Sequence, residues 1–269
     1  MVKCGKLSIS NTSPFTLIAG PCQLENEKHA MSVAEKLKEI TQDLNIGLIY
    51  KTSFDKANRT SLKGKRGAGL EKSLPVFDKI KKEVGVPILT DVHTIEQCEI
   101  VSKHVDVLQI PAFLCRQTDL LVAAAKTGKI INIKKGQFLA PWDMKNVLEK
   151  IQSIGNHPVV LIERGVTFGY NNLVADLRSL TFMRNLGKPV IMDVTHSLQL
   201  PGGQGDTTGG HAEMIPNLAR AALAWGCDGL FIEVHEEPSR ALSDGPNSMR
   251  LDAMEYLLKQ LVRLHEALK

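Results

Sequence analysis

The chain has 269 residues, a formal net charge of +4, 43% hydrophobic and 23% charged residues. That balance excludes a disordered chain, and the net charge is too weak to imply nucleic acid by itself. No apolar run is long enough to span a bilayer, and the N-terminus lacks the apolar core of a signal peptide, so no membrane or nucleic-acid partner is expected. Five scattered cysteines, an odd number, predict free thiols in a reducing, cytoplasmic setting.

The opening, Lys3 to Phe15, alternates loosely around Pro14 and predicts a hairpin or cap over residues 1–15. From there apolar runs alternate with amphipathic stretches. Strands are predicted at Thr16–Ala19, Ile46–Lys51, Pro87–Asp91, Val107–Ile110, Ile130–Lys134, Pro158–Glu163, Pro189–Asp193 and Gly229–Glu233. Helices are predicted at Glu27–Leu44, Gly69–Val84, Thr94–His104, Gln117–Thr127, Trp142–Ile154, Ala175–Leu186, His211–Trp225 and Asp252–Leu268. Strands apolar on both faces imply a parallel sheet, and eight β-then-α units without a composition break imply one domain over 16–269. A closed (β/α)8 TIM barrel is the predicted fold; a doubly wound open sheet is the alternative.

Catalysis in such a barrel sits at the carboxyl ends of the strands. Here the strand ends carry Cys22, Lys51, Asp91 with His93, Gln109, Lys134 with Lys135, Glu163 with Arg164, Asp193 with His196, and Glu233 with His235. A polar end on one strand only marks where the chain meets water. Repeated round a barrel, such ends converge on one pocket. The stretch Lys51-Thr-Ser-Phe-Asp-Lys-Ala-Asn-Arg-Thr-Ser61 mixes cations with hydroxyl and amide donors, which suits a phosphate ester. A solvated basic loop is its plain alternative. Adding Arg116, Lys134 and Arg164 gives a charge that two phosphates, or a phosphate and a carboxylate, would balance. Side chains alternate along a strand, so Lys134 rather than Lys135 is predicted to face inward.

Cys22, His196, Glu233 and Asp244 form a second set, of thiolate, imidazole and carboxylates, suited to Zn, Fe or Mn as a divalent ion. Their spacing is no ligand motif, and His93, His211 and His235 are rival ligands. The stretch Pro201–Gly210 contains five glycines but is not a phosphate-binding P-loop. It predicts a mobile loop over the barrel mouth.

From about Phe15 to the C-terminus the chain resembles the 3-deoxy-D-manno-octulosonate 8-phosphate (Kdo8P) synthases, and seven stretches carry the resemblance. They are Ile18-Ala-Gly-Pro-Cys22, Lys51 to Ser61, Gln109-Ile-Pro-Ala-Phe-Leu-Cys-Arg-Gln-Thr-Asp119, Asn132-Ile-Lys-Lys-Gly-Gln-Phe138, Glu163-Arg-Gly-Val-Thr-Phe-Gly-Tyr-Asn-Asn172, Asp193-Val-Thr-His196 and Leu200-Pro-Gly-Gly203. The related DAHP synthases typically have Lys-Pro-Arg-Thr where this chain has Lys56-Ala-Asn-Arg-Thr60, so Asn58 favours the Kdo8P branch.

The resemblance implies condensation of phosphoenolpyruvate (PEP) with D-arabinose 5-phosphate, serving lipopolysaccharide synthesis. It places Lys51, Lys56, Lys134 and Arg164 on PEP with Asp91 and Gln109 nearby. It places Asn58, Arg59 and Thr60 on the sugar phosphate, with Arg116 directed to a neighbouring subunit of a homotetramer. Cys22 puts the chain in the metal-dependent branch, with His196, Glu233 and Asp244 as further ligands; Lys51, Lys56, Lys134, His196 and Asp244 are the candidate catalytic groups. A DAHP synthase using erythrose 4-phosphate, an unrelated metal-dependent lyase or hydrolase, and a non-enzymatic nucleic-acid binder are the competing readings.

Overall fold

The computed structural model describes residues 1–10, 12, 14–203 and 208–269. Two short antiparallel strands, β1 (Val2–Cys4) and β2 (Leu7–Ile9), form an N-terminal hairpin. Eight parallel strands follow: β3 (Thr16–Gly20), β4 (Gly47–Lys51), β5 (Ile88–Asp91), β6 (Val107–Ile110), β7 (Ile130–Lys134), β8 (Val159–Glu163), β9 (Val190–Asp193) and β10 (Gly229–His235). They pair in sequence order, and β10 pairs with both β9 and β3. That last pairing closes the sheet, so the fold is a (β/α)8 barrel rather than an open doubly wound sheet.

The helices are α1 (Glu27–Asp43), α2 (Leu70–Lys79), α3 (Ile95–Ser102), α4 (Thr118–Lys126), α5 (Met144–Gln152), α6 (Arg178–Arg184), α7 (Ile215–Trp225) and α8 (Met254–Ala267). Local chemistry sets several starts. The side chain of Asn26 accepts from the His29 amide at the head of α1, and Thr94 with Gln97 closes a capping box on α3. None of the helices among the described residues is long and apolar enough to cross a membrane.

Strand alternation divides the core in two. In β4, Leu48 and Tyr50 pack outward against the helices, whereas Ile49 and Lys51 point into the barrel. Ile18, Ile49, Leu89, Val107, Ile130, Val160, Ile162, Ile191 and Phe231 fill the barrel interior, joined by Val2, Cys4 and Ile9 of the hairpin. The hairpin therefore plugs the end away from the strand C-termini. Two residues further along the same inward rows the chemistry turns polar: Lys51 after Ile49, Asp91 after Leu89, Gln109 after Val107, Asp193 after Ile191 and Glu233 after Phe231. The register that buries an apolar floor thus aims a charged or polar ring at the opposite mouth.

Gly20 permits one close crossing. A Cβ there would lie 2.0 Å from the carbonyl oxygen of Lys51, so only glycine lets β3 run into Pro21 and Cys22 at this depth. Gln199–Leu200 pairs antiparallel with Gly209–Gly210, which anchors both ends of the glycine-rich loop. Its residues 204–207 lie outside the described residues, so the mobile loop expected over Pro201–Gly210 falls partly there.

Candidate active site

The barrel mouth holds a cavity walled by Lys56, Asn58, Arg59, Thr60, Asp91, His93, Gln109, Lys134, Gln137, Arg164, His196, Gln199 and Asp244, among others. Ten of the predicted site residues meet here: Lys56, Asn58, Arg59, Thr60, Asp91, Gln109, Lys134, Arg164, His196 and Asp244. Cys22 and Glu233 lie buried beside them. Lys51 is also buried; it does not line the cavity, because Glu233 Oε1 draws its ammonium to 2.5 Å and the Cys22 carbonyl accepts from it at 2.9 Å. Arg116 stays out of the cavity. It is exposed and borders a separate surface hollow with Asp143, Asn146 and Lys150.

Register decides between the two lysines of β7. Lys134 faces the cavity. Lys135 turns to the other side of the sheet, where the carbonyls of Gly136, Leu139 and Gly165 accept from it and Glu163 lies 3.6 Å away.

The cations are arranged to receive an anion. Arg164 is 5% exposed; one Nη donates to Gln199 at 2.8 Å and the other is buried without a partner. An orphaned buried guanidinium donor on a cavity wall is a ready anion contact. Burial pulls Lys134 below the usual lysine range, despite the carboxylates of Asp193 and Glu233. Burial acts on Lys56 the same way, but the surrounding carboxylates of Asp91, Glu233 and Asp244 outweigh it and raise its hold on the proton. Asp91 takes the Ser53 hydroxyl on one oxygen and His93 on the other at 3.1 Å. Burial opposes its charge, yet Lys56, His93 and Lys51 hold it far below the ordinary carboxylate range.

The soft-ligand set comes together from chain positions far apart. One donor atom each from Cys22, Glu233 and Asp244 lies within 4.8 Å of the others. The thiol donates to Asp244 Oδ2 at 3.1 Å, and His196 Nε2 lies 3.4 Å from Glu233 Oε2 and 4.0 Å from Asp244 Oδ2. Asp244 reaches this point from a left-handed backbone, φ 51°, uncommon outside glycine and frequent at functional sites. Burial, with the charges of Asp244 and Glu233, pushes the Cys22 thiol well above its usual range. Glu233, although buried, is held low by His196, Lys51, Lys56 and Lys134. Thiol, imidazole and two carboxylates at this spacing fit a divalent transition metal.

Of the rival histidines, His93 faces Asp91 through Nε2 and keeps a buried Nδ1 without a partner, and His211 is exposed beside Glu213. His235 accepts from the Glu237 amide through Nδ1 and faces Glu25 through Nε2, which commits the lone pair of a neutral ring. Glu25 also accepts from the Leu242 amide, so this group fastens the loop that carries Ser243 and Asp244. Sequence reasoning missed Gln199 on Arg164 and Ser243 on Arg59, and it named Ser53 and Asp193 without the contacts they make, Ser53 to Asp91 and Asp193 to Lys134 and His196.

A closed parallel barrel with this cation-lined mouth and a buried soft-ligand cluster defines an enzyme of small, multiply charged anions. A sequence model of the DAHP synthetase I family matches residues 2–269. The 2-dehydro-3-deoxyphosphooctonate aldolases of Brucella ovis, Brucella melitensis and Brucella canis are each 62% identical over 261 residues, covering 97% of this chain and 94% of the relative. The chain belongs to the DAHP synthetase I family.

Proposed function

We propose that the chain condenses PEP with D-arabinose 5-phosphate and water to give Kdo8P and inorganic phosphate, for lipopolysaccharide synthesis. One observation carries the reading: a single cavity wall bears Lys56, Lys134 and Arg164 together with Asn58, Arg59 and Thr60, beside His196 and Asp244. Two anionic reactants can be seated there with their reacting carbons between the two groups. The names of the 62% identical relatives, and Asn58 in place of proline, favour the arabinose phosphate over erythrose 4-phosphate.

In this reaction PEP C3 bonds to the aldehyde carbon, water adds at C2, and the C2–O bond to phosphate then breaks. Lys56, Lys134 and Arg164 hold the carboxylate and phosphate of PEP, and Arg59 with Asn58 and Thr60 anchors the sugar phosphate away from the aldehyde. Lys134, with its lowered affinity for a proton, is suited to deliver one to the new alkoxide. Cys22, His196, Glu233 and Asp244 would hold a divalent metal, Zn, Fe or Mn. Such an ion, when bound, supplies Lewis acidity to a reactant oxygen. Glu233 and Asp91 are kept ionised by their cationic neighbours and so balance the lysines when no substrate is present.

We further assign the chain to the cytoplasm as a homotetramer. Arg116 and Phe113 of the β6–α4 connection are exposed and available to a neighbouring copy. Light scattering should give four times the 29.6 kDa chain mass; a monomer would overturn the assembly. Turnover with the two sugar phosphates tests the function. The expected result is at least a tenfold higher kcat/KM for arabinose 5-phosphate, and a preference for erythrose 4-phosphate would overturn it.

A further inference from the structure

We propose that Asp193 is a positioning residue that governs both halves of the site through one carboxylate oxygen. It fixes the imidazole of His196 with Nε2 free to ligate, and it holds the ammonium of Lys134 on the PEP side. The inference deepens the metal-assisted condensation proposed above and rests on it.

Asp193 is fully buried at the end of β9. Its two oxygens have separate tasks. Oδ1 accepts from the Thr195 amide at 3.1 Å, the Thr195 hydroxyl at 2.9 Å and the His196 amide at 2.8 Å, which fixes the turn after the strand. Oδ2 lies 2.8 Å from Lys134 Nζ and 2.7 Å from His196 Nδ1. An ionised carboxylate only accepts, so a contact this short places the ring proton on Nδ1. A neutral ring then presents its lone pair at Nε2, the atom turned to Glu233 and Asp244. Only that tautomer can ligate from Nε2.

The same oxygen sets Lys134. Its ammonium is held by Asp193, lies 3.9 Å from the centre of the Phe231 ring and 3.2 Å from His196 Nδ1. Any change at Oδ2 must therefore disturb the ligand and the PEP cation together. Removing either partner alone disturbs one directly. The Lys134 ammonium at 2.8 Å supplies the counter-charge that keeps this buried carboxylate ionised.

Asp193→Asn separates this role from a structural one. The amide oxygen can keep the three bonds of Oδ1, so the turn survives. The amide nitrogen then faces Lys134 and His196, donor against donor. His196 is expected to take the opposite tautomer, with its proton on Nε2. Zn2+ affinity, read by chelator competition, should fall about 10- to 100-fold. PEP affinity of the metal-free protein, read by calorimetry, should fall at least fivefold. A loss below fivefold in either affinity, in a variant with a wild-type melting profile, overturns the proposal.

Nitrogen-15 NMR of the Zn2+-loaded wild type is independent of any variant. It should show the ring proton of His196 on Nδ1 with Nε2 unprotonated, and a proton on Nε2 overturns the proposal. A wild type that takes up neither Zn2+ nor PEP would instead sink the functional reading itself.

Discussion

Arg59→Ala probes the sugar-phosphate end of the cavity. Arg59 borders both the main cavity and the adjoining hollow formed by residues 238–246. Its Nη1 donates to the Ser243 hydroxyl at 2.5 Å, and its Nε is buried without a partner. The residue is therefore pinned by one bond and has donors left for a ligand. A hydrogen bond to a charged group contributes about 1.5–3 kcal/mol. At tenfold per 1.4 kcal/mol, losing one such contact lowers kcat/KM for arabinose 5-phosphate by about 10- to 150-fold. The phosphate is remote from the reacting aldehyde, so most of the loss should appear in KM. Arg59 sits in a partly exposed loop without secondary structure, and stability should change by no more than about 0.5 kcal/mol. Initial rates with each substrate varied in turn provide the assay. An effect confined to the KM for PEP, or a change below threefold, would refute the placement of Arg59 on the sugar phosphate.

Lys51→Met should leave Glu233 buried and without its 2.5 Å partner, costing about 3–5 kcal/mol in urea unfolding; a loss under 1 kcal/mol would show that the pair is dispensable. Cys22→Ala should drop bound metal, measured by elemental analysis, from about one equivalent per chain to near zero, and retention of the metal would remove Cys22 from the ligand set. Asp91, Asp193 and Glu233 all have folded-state pKa values below their unfolded ones. Their stabilisation is therefore complete above the unfolded carboxylate range, about 4, and is lost as pH falls through and below it. The melting temperature of the metal-free protein should be nearly level from pH 7 to 5 and fall steeply below about 4; a level profile down to pH 3 would contradict these depressed values.

The barrel was legible because its strands are short apolar runs with a period that repeats along the chain. Period-two alternation also separated Lys134 from Lys135, a local property that needs no tertiary information. The pairings across the barrel were not legible. Lys51 and Glu233 are 182 positions apart, and Cys22 and Asp244 are 222 apart, so closure of the sheet alone brings them together. Burial of Lys51 behind Glu233 could not be read from its place at a strand end. Which of the four histidines lies beside Glu233 and Asp244 was likewise hidden: His196 does, because the turn after β9 carries its ring there. Asp193 showed as a polar strand end, but its two-sided bonding depends on the turn at Thr195 and on a neighbour from β7.

The most direct test of the whole scheme is phosphate release from PEP, followed with arabinose 5-phosphate before and after verified removal of metal. Release that requires the sugar phosphate, stops on metal removal and returns when a divalent metal is added is the predicted result. Undiminished release from metal-free protein, or release without any aldose phosphate, would contradict the account.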